Sequence, residues 1–400
     1  MTAASPSIEP KSAERRALGV SCGAHALHDG YTELIYVLLP LWQAEFGLSY
    51  AASGMLRTVF SGTMASLQIP ASFLAERVGT AIVLAAGTAL CGGCFVLAGF
   101  SAGFSFLIAA LLLGGLGAST QHPLGSALVA RAFSGARSLT ALGTYNFAGD
   151  IGKMAIPVTA SLMLYVLPWR TTAAILGLIG FVGAAAILLL LPHVDATRRS
   201  DGKSQREDTS PVSRENDPHG FSLLLALGSL DSITRGGFLV FLPFLMIGKG
   251  ATVQVAGLAL TTLFLGGAVG KLACAWLGAR FGVIGAIIVT QALTTAGILA
   301  LLMLPLTVCF VVLPLVGAML NGTSSLTYGS VPRFVSAERQ ARAFGVFYTG
   351  TLVCGALSPT VSGFVGDRIG LETTLVILAL LALTTIPFAL VLRPRFASLY

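Results

Sequence analysis

Ionisable side chains lie inside apolar stretches of this sequence, where a hydrocarbon environment would make them costly. In the stretch 18–45, His25 and Asp29 are spaced four residues apart, so a helix would place both on one face. A carboxylate beside an imidazole can exchange a proton, and histidine titrates near neutral pH unaided. We therefore expect Asp29 and His25 to form a proton-coupling site. The alternative is a polar pair that only holds helices together.

Further ionisable residues are expected to line a cavity for a ligand. At the centre of a membrane helix such a group costs about 2.5–3.5 kcal/mol on insertion scales, so it should face a cavity or a charged partner. The substrate-cavity candidates are His28, Glu33, Arg57, His122, Asp150, Lys153, Asp231, Arg235 and Lys271. His122 is followed by Pro123, which removes a helix hydrogen bond near mid-span. Arg57 has a second interpretation, in which its long side chain extends to the outer membrane interface.

Two pairs among these candidates could neutralise themselves without a ligand. Asp150 and Lys153 are three residues apart, and Asp231 and Arg235 are four apart, so each pair can share a helix face. A structural ion pair and a substrate ligand both stay open for each pair. The sequence shows neither a nucleotide-binding motif nor a set of acids with metal-ligand spacing. We therefore expect no cofactor, no metal site, no catalytic residue and no enzyme activity.

The composition predicts that helices in a lipid bilayer position these side chains. Of the 400 residues, 55% are hydrophobic and only 10% are charged, whereas soluble domains carry about 25% charged residues. A helical span needs about 20 apolar residues. Twelve such stretches are found, at 18–45, 51–76, 80–100, 104–131, 137–165, 170–192, 219–247, 252–279, 283–304, 307–333, 338–366 and 371–393. The prediction is an all-α membrane protein with twelve transmembrane helices.

The chain repeats itself about a polar linker. The segment Ala127–Gly143 matches Gly329–Gly345 at an offset of 202 residues, and Arg131 and Arg333 are identical in this register. Repeats of this kind are typical of transporter folds built from two parallel halves. The expected divisions are a cytoplasmic N-terminal tail (1–17), a six-helix bundle (18–192), a cytoplasmic linker (193–218), a second six-helix bundle (219–393) and a cytoplasmic tail (394–400).

The placement of basic residues predicts the orientation of the helices. Seventeen Lys and Arg residues fall on the side of the N-terminus and three on the opposite side. Because basic loops stay in the cytoplasm, both termini are expected there. Arg77, Arg131, Arg280 and Arg333 are expected to line a cytoplasmic gate by pairing with acids or helix C-termini.

Two motifs resemble a known family. Two six-helix halves joined by a polar linker are similar to the major facilitator superfamily. Within it, the run His25-Ala-Leu-His28-Asp29 and the run Ala118-Ser-Thr-Gln-His122-Pro123 resemble the fosmidomycin-resistance family. The resemblance implies a proton-driven exporter of the bacterial inner membrane for drugs or small anions, with His25, Asp29, His122 and Arg131 on motif positions.

This chain also departs from that family at positions expected near the cavity. Asp150 and Lys153 stand where relatives often have uncharged residues, and Leu124 stands where an acid is frequent. The resemblance therefore leaves the substrate open.

The function expected from the sequence is a proton-coupled antiporter that exports a small molecule, such as a drug or organic anion, by alternating access. Its partners would be protons, the substrate and the lipid bilayer, with no nucleic acid, and it would act as a monomer and contribute to antibiotic resistance. Proton-coupled uptake of an organic anion is the first alternative. A receptor that binds but does not transport is the second.

Overall fold

A computed structural model describes residues 10–133, 135–191 and 216–397, and all regular structure within these ranges is helical. The α-helices are α1 (Pro10–Phe46), α2 (Tyr50–Val78), α3 (Thr80–Gly99), α4 (Phe104–Ala118), α5 (Gln121–Ala132), α6 (Ala136–Met163), α7 (Trp169–Leu190), α8 (Pro218–Gly248), α9 (Val253–Phe281), α10 (Val283–Met303), α11 (Leu306–Ser330), α12 (Gln340–Ile369), α13 (Leu371–Leu383) and α14 (Thr385–Ala397). Short 3-10 turns lie at Val331–Arg333 and Ala337–Arg339. Most of the expected linker lies outside the described residues.

These helices correspond to the twelve predicted spans, two of which are interrupted. The fourth span comprises α4 and α5, which are separated at Ser119 and Thr120. Pro123 lies in the first turn of α5, where its missing N–H leaves no helix hydrogen bond unmade. The twelfth span comprises α13 and α14, which are separated at Thr384. The predicted fold class, with twelve transmembrane helices in two repeated halves, is confirmed.

Nine of the described helical segments are long and apolar enough to cross a membrane. The long helices outside that set are α1, α2 and α6. These three carry Asp29, Arg57 and Lys153, which belong to the predicted sites. Their lower hydropathy therefore reflects the polar residues that they bring into the bundle.

Glycines set the helix spacing in the first of two compact units. The described residues of this unit fall within 1–34, 66–156 and 167–203. Here α3 packs along α7, and a Cβ atom at Gly92 would lie 2.8 Å from the Cα of Gly180. A Cβ atom at Gly152 of α6 would overlap the Ala26 carbonyl of α1. Small residues of this kind allow the backbones of membrane helices to approach closely.

Glycines also allow close helix packing in the second compact unit. Its described residues fall within 35–65, 157–166 and 204–400. Helix α9 packs along α11, where Gly266 and Gly270 leave no room for a Cβ atom against the Pro314 and Ala318 backbones. The unit also contains the first part of α2, in which Gly54 contacts the Pro359 carbonyl of α12.

A carboxylate caps the start of α2 in this unit. The amides of Tyr50 and Ala51 donate hydrogen bonds of 2.7 and 3.0 Å to the two carboxylate oxygens of Asp367, at the end of α12. The first amides of a helix have no partner within the helix, and a negative charge there also interacts favourably with the helix dipole.

We expect Asp367→Ala to lower the free energy of unfolding by about 1–2 kcal/mol, because it removes this cap. Reversible unfolding in mixed micelles measures the change. Arg368→Gln is the matched control, since Arg368 is exposed and adjacent, and it should shift stability by less than about 0.5 kcal/mol. Equal losses for the two variants would show that the cap contributes nothing.

Candidate functional site

Four basic side chains surround the carboxylate of Asp29. The Nε2 atoms of His25, His28 and His122 lie 3.4, 3.8 and 3.9 Å from its Oδ1 atom. The Nζ atom of Lys153 lies 3.3 Å from Oδ2. We call these five residues the Asp29 cluster. All five belong to the first compact unit, so the site is built within one half of the fold.

Three helices assemble the Asp29 cluster. Helix α1 supplies His25, His28 and Asp29, and the first and last of these lie one turn apart on one face. The break between α4 and α5 places His122 in the first turn of α5. Its ring meets those of His25 and His28 edge-on, at centroid distances of 5.3 and 4.9 Å. Helix α6 supplies Lys153.

Gly149 lets α6 approach the cluster. A Cβ atom at this position would lie 2.7 Å from Asp29 Oδ2 and 2.7 Å from His25 Cε1. We expect Gly149→Ala to displace both side chains and to lower the free energy of unfolding by about 1–3 kcal/mol, the usual cost of overpacking.

Gly143 provides the matched control for this prediction on the same helix. A Cβ atom there would have no neighbour within 4 Å. Gly143→Ala should therefore be neutral, or stabilising by up to about 1 kcal/mol. Unfolding of both variants in micelles measures the difference, and equal stability of the two would contradict the close contact at Gly149.

The hydrogen bonding of His25 determines where a proton must lie. Its Nδ1 atom is 2.8 Å from the Tyr145 carbonyl oxygen, which can only accept, so Nδ1 carries a hydrogen. In a neutral ring Nε2 then has a lone pair, and this lone pair faces a carboxylate oxygen of Asp29 3.4 Å away. The contact is favourable only when a proton sits on Nε2 or on the carboxyl group. The Tyr145 ring stacks on the imidazole at 4.1 Å and holds its plane.

Lys153 links two carboxylates. Its Nζ atom lies 3.3 Å from Asp150 Oδ1 as well as 3.3 Å from Asp29 Oδ2. Glu33 is buried on α1 and lies within electrostatic range of the same ammonium group. Three carboxylates therefore face one permanent positive charge. Protonation of a histidine or a carboxyl group reduces this imbalance, so the net charge of the Asp29 cluster with Asp150 and Glu33 depends on proton occupancy.

The geometry also bears on metal binding. Ligand atoms of His25, Asp29 and His122 all lie within 4.8 Å of one another, a spacing that could hold a metal ion. The Nδ1 hydrogen bond of His25 is of the type that orients histidine ligands. However, the ammonium group of Lys153 already occupies the same carboxylate and would repel a divalent cation. We assign no metal to the cluster.

A small, mainly apolar cavity adjoins His28 between α1, α3, α4 and α5. Its volume of about 10 Å³ is close to the space that one water molecule needs. Thr88, Thr120 and Gln121 contribute polar atoms to its wall. The Oε1 atom of Gln121 is buried and has no hydrogen-bond partner among the described residues.

The second pair predicted from spacing is not in direct ionic contact. Asp231 is buried, and its Oδ1 atom accepts a 2.7 Å hydrogen bond from Gln291 Nε2 of α10. The Nη2 atom of Arg235 instead lies 3.3 Å from the Ser232 hydroxyl. Among the described residues, no carboxylate oxygen is recorded within 4.0 Å of the Arg235 guanidinium. Lys271 is half-buried on α9.

Arg57 is buried rather than extended to the membrane interface. Only 8% of the residue is exposed, and its guanidinium lies 4.6 Å from the ring centroid of Tyr36. The gate candidates Arg77, Arg131 and Arg280 are exposed. Arg333 is half-buried, and its guanidinium lies over the Phe396 ring at 4.9 Å.

The residues that orient the candidates were not predicted from the sequence. Tyr145 fixes His25 through a backbone carbonyl, which any residue type could supply. Gln291 binds Asp231 across 60 positions of sequence. Its polarity within the apolar run of α10 was the one available signal.

Comparisons with known proteins agree with this architecture. A profile described as Major Facilitator Superfamily matches residues 22–232 and again 224–398. The fosmidomycin resistance protein of Escherichia coli (strain K12) is 23% identical over 380 residues, which cover 92% of this chain and 90% of that protein. The gentisate transporter of Corynebacterium glutamicum is 28% identical over 352 residues, covering 80% and 74%.

Solved structures show the same fold. A bacterial homolog of the human lysosomal transporter Spinster, crystallised in an inward-facing and unoccupied conformation, superposes with a TM-score of 0.78 at 16% identity. The match covers 96% of this chain and 98% of that one. The family profile recurs in both halves and together spans almost the entire sequence. The chain therefore belongs to the Major Facilitator Superfamily and is a multi-pass membrane transport protein rather than an enzyme.

Proposed function

We propose that the chain is a proton-coupled antiporter that exports a small organic anion or drug across the bacterial inner membrane by alternating access. One observation carries the coupling: the lone-pair nitrogen of His25 faces the Asp29 carboxylate at 3.4 Å, and its other nitrogen is fixed by a carbonyl. That contact is favourable only with a proton present. Loading and release of the proton would therefore change the interactions among α1, α5 and α6.

Lys153 links the protonation of Asp29 to the contact between α1 and α6. When Asp29 is ionised, its Oδ2 atom holds the ammonium group, which Asp150 holds as well. Protonation of Asp29 weakens that ion pair and leaves Lys153 bound mainly to Asp150 on its own helix. The link between α1 and α6 thus loosens when a proton is loaded. A link of this kind is a two-state element whose balance a proton can bias.

The proposed direction of transport rests on the names of relatives rather than on geometry. The name of the fosmidomycin resistance protein suggests that it protects against a drug, which supports export and a contribution to antibiotic resistance. The gentisate transporter acts on an organic acid, which supports an anionic cargo. We propose that both termini lie in the cytoplasm and that the monomer is the transporting unit.

The net charge of the Asp29 cluster together with Asp150 and Glu33 favours one alternative, proton-coupled uptake of an organic anion. Three carboxylates face one ammonium group when the histidines are neutral. An anion would bind more readily to the protonated cluster, so proton and cargo could bind together and move in the same direction.

Proteoliposomes with an imposed pH gradient separate these mechanisms. The probes are labelled fosmidomycin and labelled gentisate, taken from the two relatives. An antiporter accumulates a probe when the lumen is acidic, because protons leave as cargo enters. A symporter accumulates it when the outside is acidic. Binding of a probe without flux in either gradient would contradict transport and indicate a receptor.

A further inference from the structure

Arg57 is a buried cation that has no carboxylate beside it among the described residues. It lies seven residues into α2 from Tyr50, about 10 Å along the helix axis, and is 8% exposed. No acidic oxygen is recorded within 4.0 Å of its guanidinium among the described residues. Its Nη1 atom is buried and has no hydrogen-bond partner there.

Three other cations in the described ranges have carboxylate or carbonyl partners of a kind that Arg57 lacks there. Lys153 contacts two carboxylates. Arg170 donates to two backbone carbonyl oxygens at 3.1 and 2.7 Å. Lys249 donates to two carbonyl oxygens at 2.9 Å each. The described part of the chain thus provides acceptors for these cations but none for Nη1 of Arg57.

The surroundings of Arg57 are aromatic. Its guanidinium carbon lies 4.6 Å from the ring centroid of Tyr36 and 5.9 Å from that of Phe60. Both rings are buried, and all three residues belong to the second compact unit. A cation over an aromatic face is stabilised, but by less than the desolvation of a buried charge costs. The rings orient the planar group without neutralising it.

We propose that Arg57 binds the oxyanion of the transported molecule, and that this molecule is a small carboxylate or phosphonate. A guanidinium presents a planar fork of donors that matches two oxygens of such a group, and aromatic stacking keeps the fork in place. The anion would supply the acceptor that Nη1 of Arg57 lacks among the described residues. The inference rests on the proposed transport function and assigns its substrate class.

With Arg57 as the anion-binding residue, proton exchange and cargo binding take place in different compact units. The Asp29 cluster lies in the first unit and exchanges the proton, and Arg57 lies in the second and holds the cargo. An antiporter then needs no direct competition between proton and anion for one group.

Equilibrium binding to the purified full-length protein at a single pH tests the assignment. Benzoate and phenylphosphonate are the probes, and benzamide is a neutral molecule of benzoate's shape. A ligand that binds the native state raises the unfolding temperature with the logarithm of its concentration. We expect both anions, but not benzamide, to stabilise the wild type. Arg57→Lys should bind them at least about ten-fold more weakly, because it keeps the charge but loses the fork.

Two further variants separate binding from folding. Arg57→Leu removes an unsatisfied charge, so without ligand it should unfold at a temperature at least as high as the wild type, and it should not respond to either anion. Arg368→Gln, at an exposed arginine, should respond as the wild type does. Equal responses to benzamide and benzoate, no response of the wild type to either anion, or an undiminished response of Arg57→Leu would each overturn the assignment.

The outcome is independent of proton coupling, because no pH gradient is applied. Arginine-dependent anion binding without gradient-driven flux would leave the assignment intact and contradict the proposed antiport. In the opposite outcome, a pH gradient drives flux of a cargo that binds equally well to Arg57→Leu and to the wild type. That outcome would support the proposed antiport and overturn the assignment of Arg57.

Discussion

Asp29→Asn should abolish pH-driven transport while ligand binding persists. The amide keeps the size of the carboxyl group but cannot take up and release a proton, and it carries no charge to form an ion pair with the ammonium group of Lys153. We expect the gradient-driven flux to fall by about two orders of magnitude or more, the usual cost of losing a positioned proton-transfer group. Flux into proteoliposomes and the ligand-induced rise in unfolding temperature are measured on the same preparation.

Glu372→Gln is the control for this experiment. Glu372 is an exposed acid in the first turn of α13, and its substitution also removes one carboxylate. Its flux should match the wild type. Normal pH-driven flux through Asp29→Asn would show that the proton is carried elsewhere. Loss of both flux and binding would show that Asp29 binds the cargo or stabilises the fold, and that it does not carry the proton.

Lys153→Met should cause the largest loss of stability among single substitutions in the cluster. It leaves Asp29 and Asp150 buried without their shared cation, and removal of one member of a buried ion pair costs about 3–5 kcal/mol. Because about a quarter of the Lys153 side chain is exposed (28%), we expect the lower end of that range, about 3 kcal/mol. Reversible unfolding in mixed micelles measures the change.

Two further variants test whether the loss of stability comes from the lost charge rather than from lost packing. Lys153→Arg keeps the positive charge and should retain most of the stability. The double variant Lys153→Met with Asp150→Asn should recover part of the loss, since one uncompensated carboxylate is gone.

The loss in Lys153→Met should also shrink as the pH falls, because protonated carboxyl groups need no countercharge. A loss that is independent of pH would indicate that Lys153 acts through packing alone.

Local spacing was sufficient to predict the centre of the site. His25 and Asp29 lie on one helix, so the helical period alone places them on one face, and the structure brings them within 3.4 Å. The same reasoning identified Asp150 and Lys153, which are 3.3 Å apart. Residues three or four positions apart on a helix have few alternative arrangements, so such contacts follow from sequence.

Contacts between helices could not be derived in this way. The sequence does not specify which face of α6 meets α1, so the sharing of Lys153 between Asp29 and Asp150 was not predicted. The partner of Asp231 could not be predicted either, because Gln291 from another helix binds it in place of Arg235. Arg57 was compatible with either a lipid-facing or a buried position, since distance from the helix end does not determine the face.

The fold was more predictable because it depends on length and composition. Twelve stretches long enough to span a bilayer were visible even where polar residues lowered the hydropathy, as in α1, α2 and α6. Pro123 indicated an interruption in the fourth span, although the helix breaks just before it, at Ser119 and Thr120.

Infrared difference spectroscopy of the purified protein across a pH step tests the central claim most directly, because it detects protonation of carboxyl and imidazole groups without knowledge of the cargo. The account predicts a pH-dependent band from a buried carboxyl group that the wild type and Glu372→Gln share and that Asp29→Asn lacks. A spectrum of Asp29→Asn identical to that of the wild type would mean that Asp29 does not take up the proton, and the coupling mechanism would be wrong.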